Sequence, residues 1–316
     1  MPPGAPPLPA TLSAASWLVA DLDTGEVLGA CGPHEGSPPA SVQKLLLAET
    51  VLPRLDPAQV VEVTQADLDF ERGSSAVGLV VGGHYSVETL WLGLLLESGN
   101  DAANVLARLG GGAQGVPGTI AAMNAEAQRL GGLDTHAVTP SGLDGPGQFT
   151  SAYDLALIAR ADFAREDFRR YDTTARAQIP AQPPKDPRGF QIQNENDLLI
   201  RYPGALGGKT GFTDVARHTY VGAAQRNGRR LVVTLLPPTP TSAPRVAPAA
   251  LGTRPKHADS TLTLGGFLAA TAAIALILVV IVVRARRRTV YRVTVRVNNR
   301  GRGPGSRPRS RARNGR

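Results

Sequence analysis

The stretch that constrains this chain most runs from Pro38 to Leu47, where two prolines precede a serine and a run of helix-forming residues. We predict a helix that opens at Ser41, because proline ends one element and helix formers follow. Ser41 and Lys44 lie three residues apart and therefore share one face of that helix. A serine at a helix start usually caps the helix. Beside a lysine it has a second use, because a buried amine with a lowered pKa can take the proton of a hydroxyl nucleophile.

The basic residues of the chain are strongly biased towards arginine. Of 34 basic residues only four are lysines, namely Lys44, Lys185, Lys209 and Lys256. A lysine amine can lose its proton, whereas a guanidinium cannot. Two of the four lysines, Lys44 and Lys209, lie in the motifs described below, as a catalytic use of a neutral amine predicts.

Composition excludes several kinds of site. The single cysteine, Cys31, excludes an intrachain disulfide and a cysteine-rich metal site. The five histidines are scattered, and no two have the spacing of metal ligands on a helix. We therefore expect neither a metal nor another cofactor.

The net charge of +8 belongs to the C-terminal end of the chain. From Arg284 onward there are 13 arginines and no acidic residue, which leaves residues 1–283 with a net charge of −5. A mildly acidic body argues against nucleic-acid binding, so we expect no nucleic-acid partner. The Arg-rich tail suits an anchor near anionic lipid.

Strand patterns occur near both ends of residues 13–237, and helical patterns lie between them. A predicted hairpin occupies residues 16–30, and a second one, residues 219–236, turns at Asn227-Gly228, the strongest short hairpin signal. We therefore predict an α/β (α+β) domain in which an antiparallel sheet is built from the ends of the segment. Helices would cover the sheet and form a separate helical lobe.

Three short motifs follow one another in this domain. Ser41-x-x-Lys44 stands at the predicted helix start, Ser98-Gly99-Asn100 at a break between helices, and Lys209-Thr210-Gly211 just before the closing hairpin. Each motif alone is weak evidence. In this order and these contexts, they are the trio typical of class A β-lactamases and penicillin-binding proteins.

On these residues the chain resembles the serine D-Ala-D-Ala carboxypeptidases, the low-molecular-mass penicillin-binding proteins of the β-lactamase/transpeptidase-like superfamily. The likeness runs from about Ser16 to Leu236. Besides the three motifs, it includes Pro39–Ser41, Leu94–Asn104, Met123–Asn124, Ser141–Leu143, Ala152–Leu155, Asn194–Asn196 and Gly208–Thr213. The resemblance implies a peptidoglycan stem peptide as substrate and β-lactam antibiotics as acylating inhibitors.

The resemblance and the chemistry together give roles to the first two motifs. Ser41 is the expected nucleophile, and Lys44, as a free amine, is its expected base. Ser98, with Lys209, is expected to relay the proton to the departing amine. Asn100 is expected to bind the substrate amide and to orient Lys44.

The third motif is expected to bind the rest of the substrate. Lys209 and Thr210 would hold the terminal carboxylate, and Lys209 would also lower the pKa of Lys44. Gly211 and Phe212 complete the predicted substrate-binding set, with the backbone N–H groups of Ser41 and Phe212 as the oxyanion hole that the family uses.

Two features depart from the family. Its members reach the cell envelope through an N-terminal signal, which residues 1–12 do not provide, so we expect the true start to lie upstream or the sequence to be truncated. The family also carries a further C-terminal helix on the sheet, and here a Pro/Ala-rich stretch begins at once. One face of the sheet is therefore expected to be less covered. Some relatives carry a carboxylate-binding arginine in that region, and we predict that Arg217 replaces it; an ordinary surface arginine is the alternative.

We predict five segments from composition. Residues 1–12 are a disordered leader, 13–237 the carboxypeptidase domain and 238–261 a Pro/Ala-rich linker. Residues 262–283 contain no charge, and these 22 residues are enough for a transmembrane helix. Residues 284–316 are the Arg-rich tail. By the positive-inside rule the tail is cytoplasmic, so we expect a single-pass protein of the cell membrane with an extracytoplasmic catalytic domain.

Two other functions compete with this interpretation. A serine β-lactamase shares the acylation step, but it has aspartate where this chain has Gly99, and no glutamate stands in a matching loop context. A catalytically inactive, membrane-anchored wall-binding protein is the second alternative, although all three motifs are intact. The sequence leaves open whether the acyl group is also transferred to another amine.

Overall fold

The computed structural model describes residues 12–238. Its strands are β1 Ser16–Asp21, β2 Val27–Cys31, β3 Val60–Glu62, β4 His84–Ser86, β5 Arg176–Ile179, β6 Phe190–Gln193, β7 Ala205–Thr213, β8 Arg217–Arg226 and β9 Arg229–Leu236. Its helices are α1 Lys44–Val51, α2 Val87–Leu96, α3 Asn100–Gly110, α4 Gly115–Arg129, α5 Ala152–Ala164, α6 Glu166–Asp172 and α7 Asp197–Arg201. Short 3₁₀ turns occupy Ala40–Gln43, Leu52–Arg54, Gln65–Leu68 and Gly112–Gln114.

Five strands form one antiparallel sheet in the order β2-β1-β9-β8-β7. The first and last strands of the domain pair at its centre, with Val19 opposite Val233. The β8–β9 hairpin turns at Asn227 and Gly228, which both have positive φ, as a two-residue turn of this kind requires. The predicted antiparallel sheet built from the ends of the domain is thus confirmed.

Side chains alternate between the two faces of the sheet, and both faces are apolar. Leu18 and Val232 belong to the main core, which the sheet shares with the helices. Trp17 and Val233 point to the other face, where they form a smaller cluster with Tyr202 at the end of α7. These side chains of the second face are buried. The sequence predicted that one face would be less covered, and the exposure of these residues does not show this.

The helices cover the main face of the sheet and extend into a helical region that carries the first two motifs. Helix α5 packs on β1 and β9, and α1 lies between α4 and α5. Almost every residue of α1 is buried, as is typical of a central core helix. Within the described residues, no helix combines the length and apolar character that a membrane span requires.

Local structure differs from the sequence prediction at two helix starts. The first begins with the 3₁₀ turn Ala40–Gln43, and Ser41 caps neither this turn nor α1. For α3, the sequence predicts Asp101 as the cap, because an aspartate directly follows the break at Ser98–Asn100. The N-cap residue is Gly99 instead, and the Asp101 carboxylate is directed at a neighbouring segment.

Five of these strands and helices were not predicted, namely β4, β5, β6, α6 and α7. They have three to seven residues each, too few for a clear hydrophobic period. Four predicted segments lie outside the described residues: the leader apart from Leu12, the linker beyond Pro238, the transmembrane helix and the tail.

Candidate active site

Ser41 lies in the 3₁₀ turn that leads into α1. The preceding residue, Ala40, has a φ of 50°, a left-handed conformation that costs a residue with a side chain about 1–3 kcal/mol. Ser41 is partly exposed, and its Oγ lies 2.9 Å from Nζ of Lys44. The strained turn therefore leaves the Ser41 hydroxyl beside the lysine instead of in a capping position.

Lys44 is fully buried, and three oxygen atoms surround its amine. Nζ lies 2.9 Å from Ser41 Oγ, 2.7 Å from Asn100 Oδ1 and 3.0 Å from the carbonyl oxygen of Ser141. The last two oxygens can only accept hydrogen bonds, whereas the Ser41 hydroxyl can also donate. A neutral amine has two N–H groups and one lone pair, so it satisfies all three partners when Ser41 donates to it.

The electrostatic surroundings favour this neutral form. Burial lowers the pKa of Lys44 well below its ordinary value, and the positive charge of Lys209 lowers it further. The charge of Asp101 acts in the opposite direction and raises that pKa. Burial is the largest of these causes, because a charged ammonium loses its water shell in the interior.

The second motif lies at the break between α2 and α3. Ser98 has a φ of 60°, again a left-handed conformation in a residue with a side chain. Its hydroxyl is buried and has no hydrogen-bond partner among the described residues. Asn100 opens α3, and its side chain contacts Lys44 as described. The motif thus brings a hydroxyl to the cleft and an amide to the lysine.

The third motif lies within β7, an edge strand of the sheet. Lys209 is buried, and its Nζ donates to the carbonyl oxygen of Thr210 at 2.8 Å. A Cβ atom at Gly211 would stand only 2.8 Å from the backbone nitrogen of Ser41. Glycine at this position therefore lets β7 approach the Ser41 turn closely. The next residue, Phe212, is 46% exposed and contacts the ring of His218.

The residue before Lys209 is held by side chains from outside the sheet. The N–H of Gly208 donates to Asp172 Oδ2 at 2.7 Å, and its carbonyl oxygen accepts from Asn196 Nδ2 at 3.3 Å. Burial raises the pKa of Asp172 to about 7, which the Gly208 N–H and the charge of Lys209 oppose. Sequence reasoning noted the Asn194–Asn196 segment but assigned it no role, and it missed Asp172, which stands 37 positions before Lys209.

A single cleft of about 450 Å³ joins the three motifs. Ser41, Ser98 and Asn100 line it, together with Thr210–Phe212. Lys44 and Lys209 are buried next to this lining. Five carboxylates and one arginine also line the cleft, namely Glu71, Asp144, Glu195, Asp197, Asp214 and Arg72.

Arg217 is not brought into this lining. It is exposed, has a φ of 54°, and its guanidinium lies 3.5 Å from the carbonyl oxygen of Asp214. Its role in binding the substrate carboxylate remains a prediction.

The arrangement supports acyl transfer. A hydroxyl nucleophile touches a buried amine, a second hydroxyl lines the same cleft, and a second buried lysine lies on strand β7. The backbone nitrogens of Ser41 and Phe212 belong to the two segments that Gly211 brings together. These are the parts that activate a serine and stabilise a tetrahedral oxyanion.

Comparisons with known proteins agree with this geometry. Residues 4–237 match the family model described as D-alanyl-D-alanine carboxypeptidase, Peptidase S11. The chain is 47% identical over 241 residues to D-alanyl-D-alanine carboxypeptidase DacB2 of Mycobacterium tuberculosis, covering 74% of this chain and 78% of that protein. It is 34% identical over 242 residues to D-alanyl-D-alanine carboxypeptidase DacD of Salmonella typhimurium, covering 73% of this chain but only 59% of that protein.

Solved structures show the same likeness. A crystal structure of a D-alanyl-D-alanine carboxypeptidase from Mycobacterium tuberculosis matches with a TM-score of 0.69 and 44% identity, over 75% of this chain and 86% of that one. A Streptomyces DD-transpeptidase matches with a TM-score of 0.70 and 25% identity, over 87% of this chain and 98% of that one. The resemblance inferred from the motifs is confirmed. The chain therefore belongs to the D-alanyl-D-alanine carboxypeptidase family, whose members are serine hydrolases.

Proposed function

We propose that this protein is a serine-type D-Ala-D-Ala carboxypeptidase that removes the terminal D-alanine from peptidoglycan stem pentapeptides. The reaction proceeds through an acyl-enzyme on Ser41, and β-lactams acylate the same residue. The observation that carries the proposal is the position of the Lys44 amine. It is fully buried and lies 2.9 Å from the Ser41 hydroxyl, between two oxygens that can only accept.

Acylation begins when Ser41 Oγ attacks the carbonyl carbon of the penultimate D-alanine. The hydroxyl proton passes to the neutral amine of Lys44, and the carbonyl oxygen becomes an oxyanion held by the backbone N–H groups of Ser41 and Phe212. The C–N bond then breaks, and the departing amine receives a proton. The Ser98 hydroxyl relays that proton together with Lys209. A water molecule later hydrolyses the ester and frees Ser41.

The substrate is held mainly through its terminal carboxylate. Thr210 lines the cleft, and the charge of Lys209 lies directly behind it. Asn100 binds the substrate amide while its oxygen holds Lys44. Arg217 is proposed as a second carboxylate contact that would require its side chain to turn towards the cleft. An unchanged kcat/KM in Arg217→Ala would remove it from the mechanism.

Release of D-alanine from a peptide that ends in D-Ala-D-Ala tests the proposed activity. Ser41→Ala should abolish release, and Lys44→Arg should lower it about 10²- to 10⁴-fold, because a guanidinium cannot act as a base. Lys185→Arg is the matched control, since Lys185 is exposed and donates to a loop carbonyl. Wild-type release in Ser41→Ala would contradict the proposal.

The same preparations separate the two alternative functions. A β-lactamase would turn over nitrocefin rapidly, whereas a carboxypeptidase is expected to accumulate a stable penicilloyl adduct. An inactive wall-binding protein would neither release D-alanine nor bind a fluorescent penicillin covalently. Stable labelling of the wild type but not of Ser41→Ala excludes the inactive protein, and slow turnover of nitrocefin by the same wild-type preparation excludes the β-lactamase.

We also propose that residues 262–283 anchor the protein in the cell membrane with the catalytic domain outside. The support is the 22-residue uncharged run and the arginines that follow it. Cys31 is the single cysteine and is exposed, so a membrane-impermeant maleimide added to intact cells should label it. Labelling only after lysis would contradict an extracytoplasmic domain.

A further inference from the structure

A segment outside the three motifs forms one wall of the cleft. Gly73, Ser74 and Ser75 line the cleft. The chain continues to Leu79, and the side chains of Val77 and Leu79 are buried. We call residues 73–79 the wall segment. It includes none of the residues to which the motifs assign a role, and it is 19 or more positions away from the second motif in the sequence.

The wall segment is attached to the second motif by one carboxylate. Asp101 is buried and follows Asn100 directly. Its Oδ1 accepts from the N–H of Val77 at 2.9 Å, and its Oδ2 accepts from the N–H groups of Gly78 and Leu79 at 2.9 and 3.0 Å. Three successive backbone donors of the wall segment therefore converge on one side chain, whose Oδ1 also accepts from the N–H of Ala102 in the first turn of α3 at 2.8 Å.

Close packing supports this attachment. A Cβ atom at Gly99 would collide with Val77 and would stand 2.7 Å from Asp101 Oδ1. Glycine in the middle of the second motif is thus what allows the wall segment to lie against it. An aspartate at this position, as in class A β-lactamases, would displace the wall.

Ser74 connects the wall segment to the catalytic amine. Its Oγ donates to the carbonyl oxygen of Glu71 at 2.6 Å and therefore uses its only proton there. The same Oγ can then only accept from Asn100 Nδ2, which lies 3.0 Å away. This fixes the orientation of the Asn100 amide and turns its Oδ1 towards Lys44, at 2.7 Å. The backbone N–H of Asn100 also donates to the carbonyl oxygen of Ser75 at 2.9 Å.

We propose that Ser74 and Asp101 are positioning residues for the reaction at Ser41: Asp101 holds the wall segment, and Ser74 orients the Asn100 amide. With Asn100 Oδ1 towards Lys44, one N–H of the neutral amine is occupied and its lone pair is left for Ser41. A reversed amide would direct an N–H₂ group at Lys44 and compete with Ser41 for that lone pair. The inference rests on the proposed acyl-enzyme at Ser41.

The first test concerns Ser74. Ser74→Ala should lower the second-order rate constant of acylation by penicillin about three- to tenfold, as expected for the loss of one orienting hydrogen bond. The loss should appear in kcat and not in KM for a D-Ala-D-Ala peptide. Ser74→Thr restores the hydroxyl and should recover most of the rate. Ser75→Ala removes a neighbouring hydroxyl from the same segment and serves as the matched control.

The second test concerns Asp101. Asp101→Asn should lower the acylation rate constant about 10- to 100-fold, because an amide N–H₂ would face backbone donors. Two charged groups act on the Lys44 amine, Lys209 from β7 and Asp101 from α3, and only Asp101 raises its pKa. In the pH profile of kcat/KM, the rise on the acidic side should therefore move to lower pH in Asp101→Asn; we call this rise the acidic limb. Asp67→Asn is the control: this buried carboxylate also accepts a backbone N–H, but it binds Arg108.

A double-mutant cycle joins the two tests. If Asp101 acts through the wall and Ser74, the two losses should not add. Additive losses, an unmoved acidic limb and no rescue by Ser74→Thr would overturn the inference. If Asp101→Asn fails to fold, the Ser74 series alone decides, since Ser74 is only half-buried. Failure of wild-type acylation would instead refute the proposed function, so the two failures remain distinguishable.

Discussion

At the scale of single residues, the site depends on a lysine that is kept neutral. Lys44 has no contact with solvent, and burial and a second cation both lower its pKa. In the neutral form, its two N–H groups donate to Asn100 Oδ1 and to the Ser141 carbonyl oxygen, and its lone pair accepts from the Ser41 hydroxyl. These three partners are a serine hydroxyl, an amide oxygen and a carbonyl oxygen, so a protonated Lys44 would have no carboxylate among its hydrogen-bond partners.

The charge of Lys209 gives a prediction about pH dependence. Lys209→Gln removes a cation that lowers the pKa of Lys44, so that pKa should rise and the neutral form should require a higher pH. The acidic limb of the pH profile of kcat/KM should therefore move to higher pH, together with a fall in its maximum. Lys185→Gln, which alters an exposed lysine, should leave the limb in place. An unmoved limb in Lys209→Gln would show that Lys209 does not tune the base.

Site residues that belong to a short sequence motif could be predicted from the sequence. Site residues that reach the site only through contacts between distant segments could not. Ser41, Lys44 and Asn100 belong to short motifs, and the structure places Ser41 Oγ and Asn100 Oδ1 2.9 and 2.7 Å from Lys44 Nζ. Ser74 and Asp101 reach the same site through loop geometry across more than twenty positions. A serine in a glycine-rich loop carries no local signal of that contact, and Asp101 resembles an ordinary helix cap.

At the scale of elements, strand β7 is held by the segments beside it as well as by its neighbour β8 in the sheet. Asp172 at the end of α6 and Asn196 before α7 hold the two backbone groups of Gly208. Asn196 is itself fixed, since its Oδ1 accepts from Leu198 N and from the Tyr220 hydroxyl, both at 3.2 Å. The anchor sets where the following residue, Lys209, lies in the cleft.

Asn196→Ala should therefore affect stability and activity together. It leaves the Gly208 carbonyl and the Tyr220 hydroxyl without this partner, which should cost about 1–3 kcal/mol of unfolding free energy. The acylation rate should fall as well, because β7 loses its anchor beside Lys209. Asn124→Ala is the control: this partly buried asparagine bonds to Ile120 and Ala137, and it does not line the cleft. Equal acylation rates in the two variants would contradict a positioning role for Asn196.

The longer elements were predictable because their patterns are strong. The β8–β9 hairpin follows from Asn227-Gly228 between apolar runs, and α5 follows from Ser151, whose side chain accepts from Asp154 N as a cap should. The segments that anchor β7 were missed because α6, α7, β5 and β6 are short and take their structure from contacts with the sheet and with α2. Short elements of this kind carry too little periodicity to be read locally.

At the scale of the whole molecule, several carboxylates are buried within the core beneath the sheet. Asp162 is fully buried, and neither of its carboxylate oxygens has a hydrogen-bond partner among the described residues. Burial raises the pKa of Asp162 well above its ordinary value, and the charges of Glu49 and Asp172 raise it further. Burial also raises the pKa of Asp154 to about 6.

These shifts predict that the fold loses stability as the pH rises from about 4 towards neutrality. A carboxyl group whose pKa is higher in the folded than in the unfolded chain binds its proton more tightly when folded. Stability from that group is present below the unfolded pKa, near 4, and is lost as pH rises through the folded pKa. For Asp154 the loss should occur between about pH 4 and 6, and for Asp172 between about pH 4 and 7.

Asp162→Asn isolates this effect at one position. The amide cannot ionise, so the variant should gain unfolding free energy relative to the wild type at pH 8 and gain less at pH 5. Urea unfolding at the two pH values measures the difference. Asp69→Asn alters an exposed carboxylate and should show no such trend. The same change in unfolding free energy at pH 8 and at pH 5 would contradict a neutral Asp162 in the folded protein.

The proposed chemistry is tested most directly by mapping the covalent adduct. The purified protein is treated briefly with benzylpenicillin, quenched in acid, and analysed by intact mass and by peptide mass spectrometry. The account predicts one penicilloyl group per chain, located on Ser41, and no adduct in Ser41→Ala. An unmodified wild-type chain, or a group located on any other residue, would contradict it.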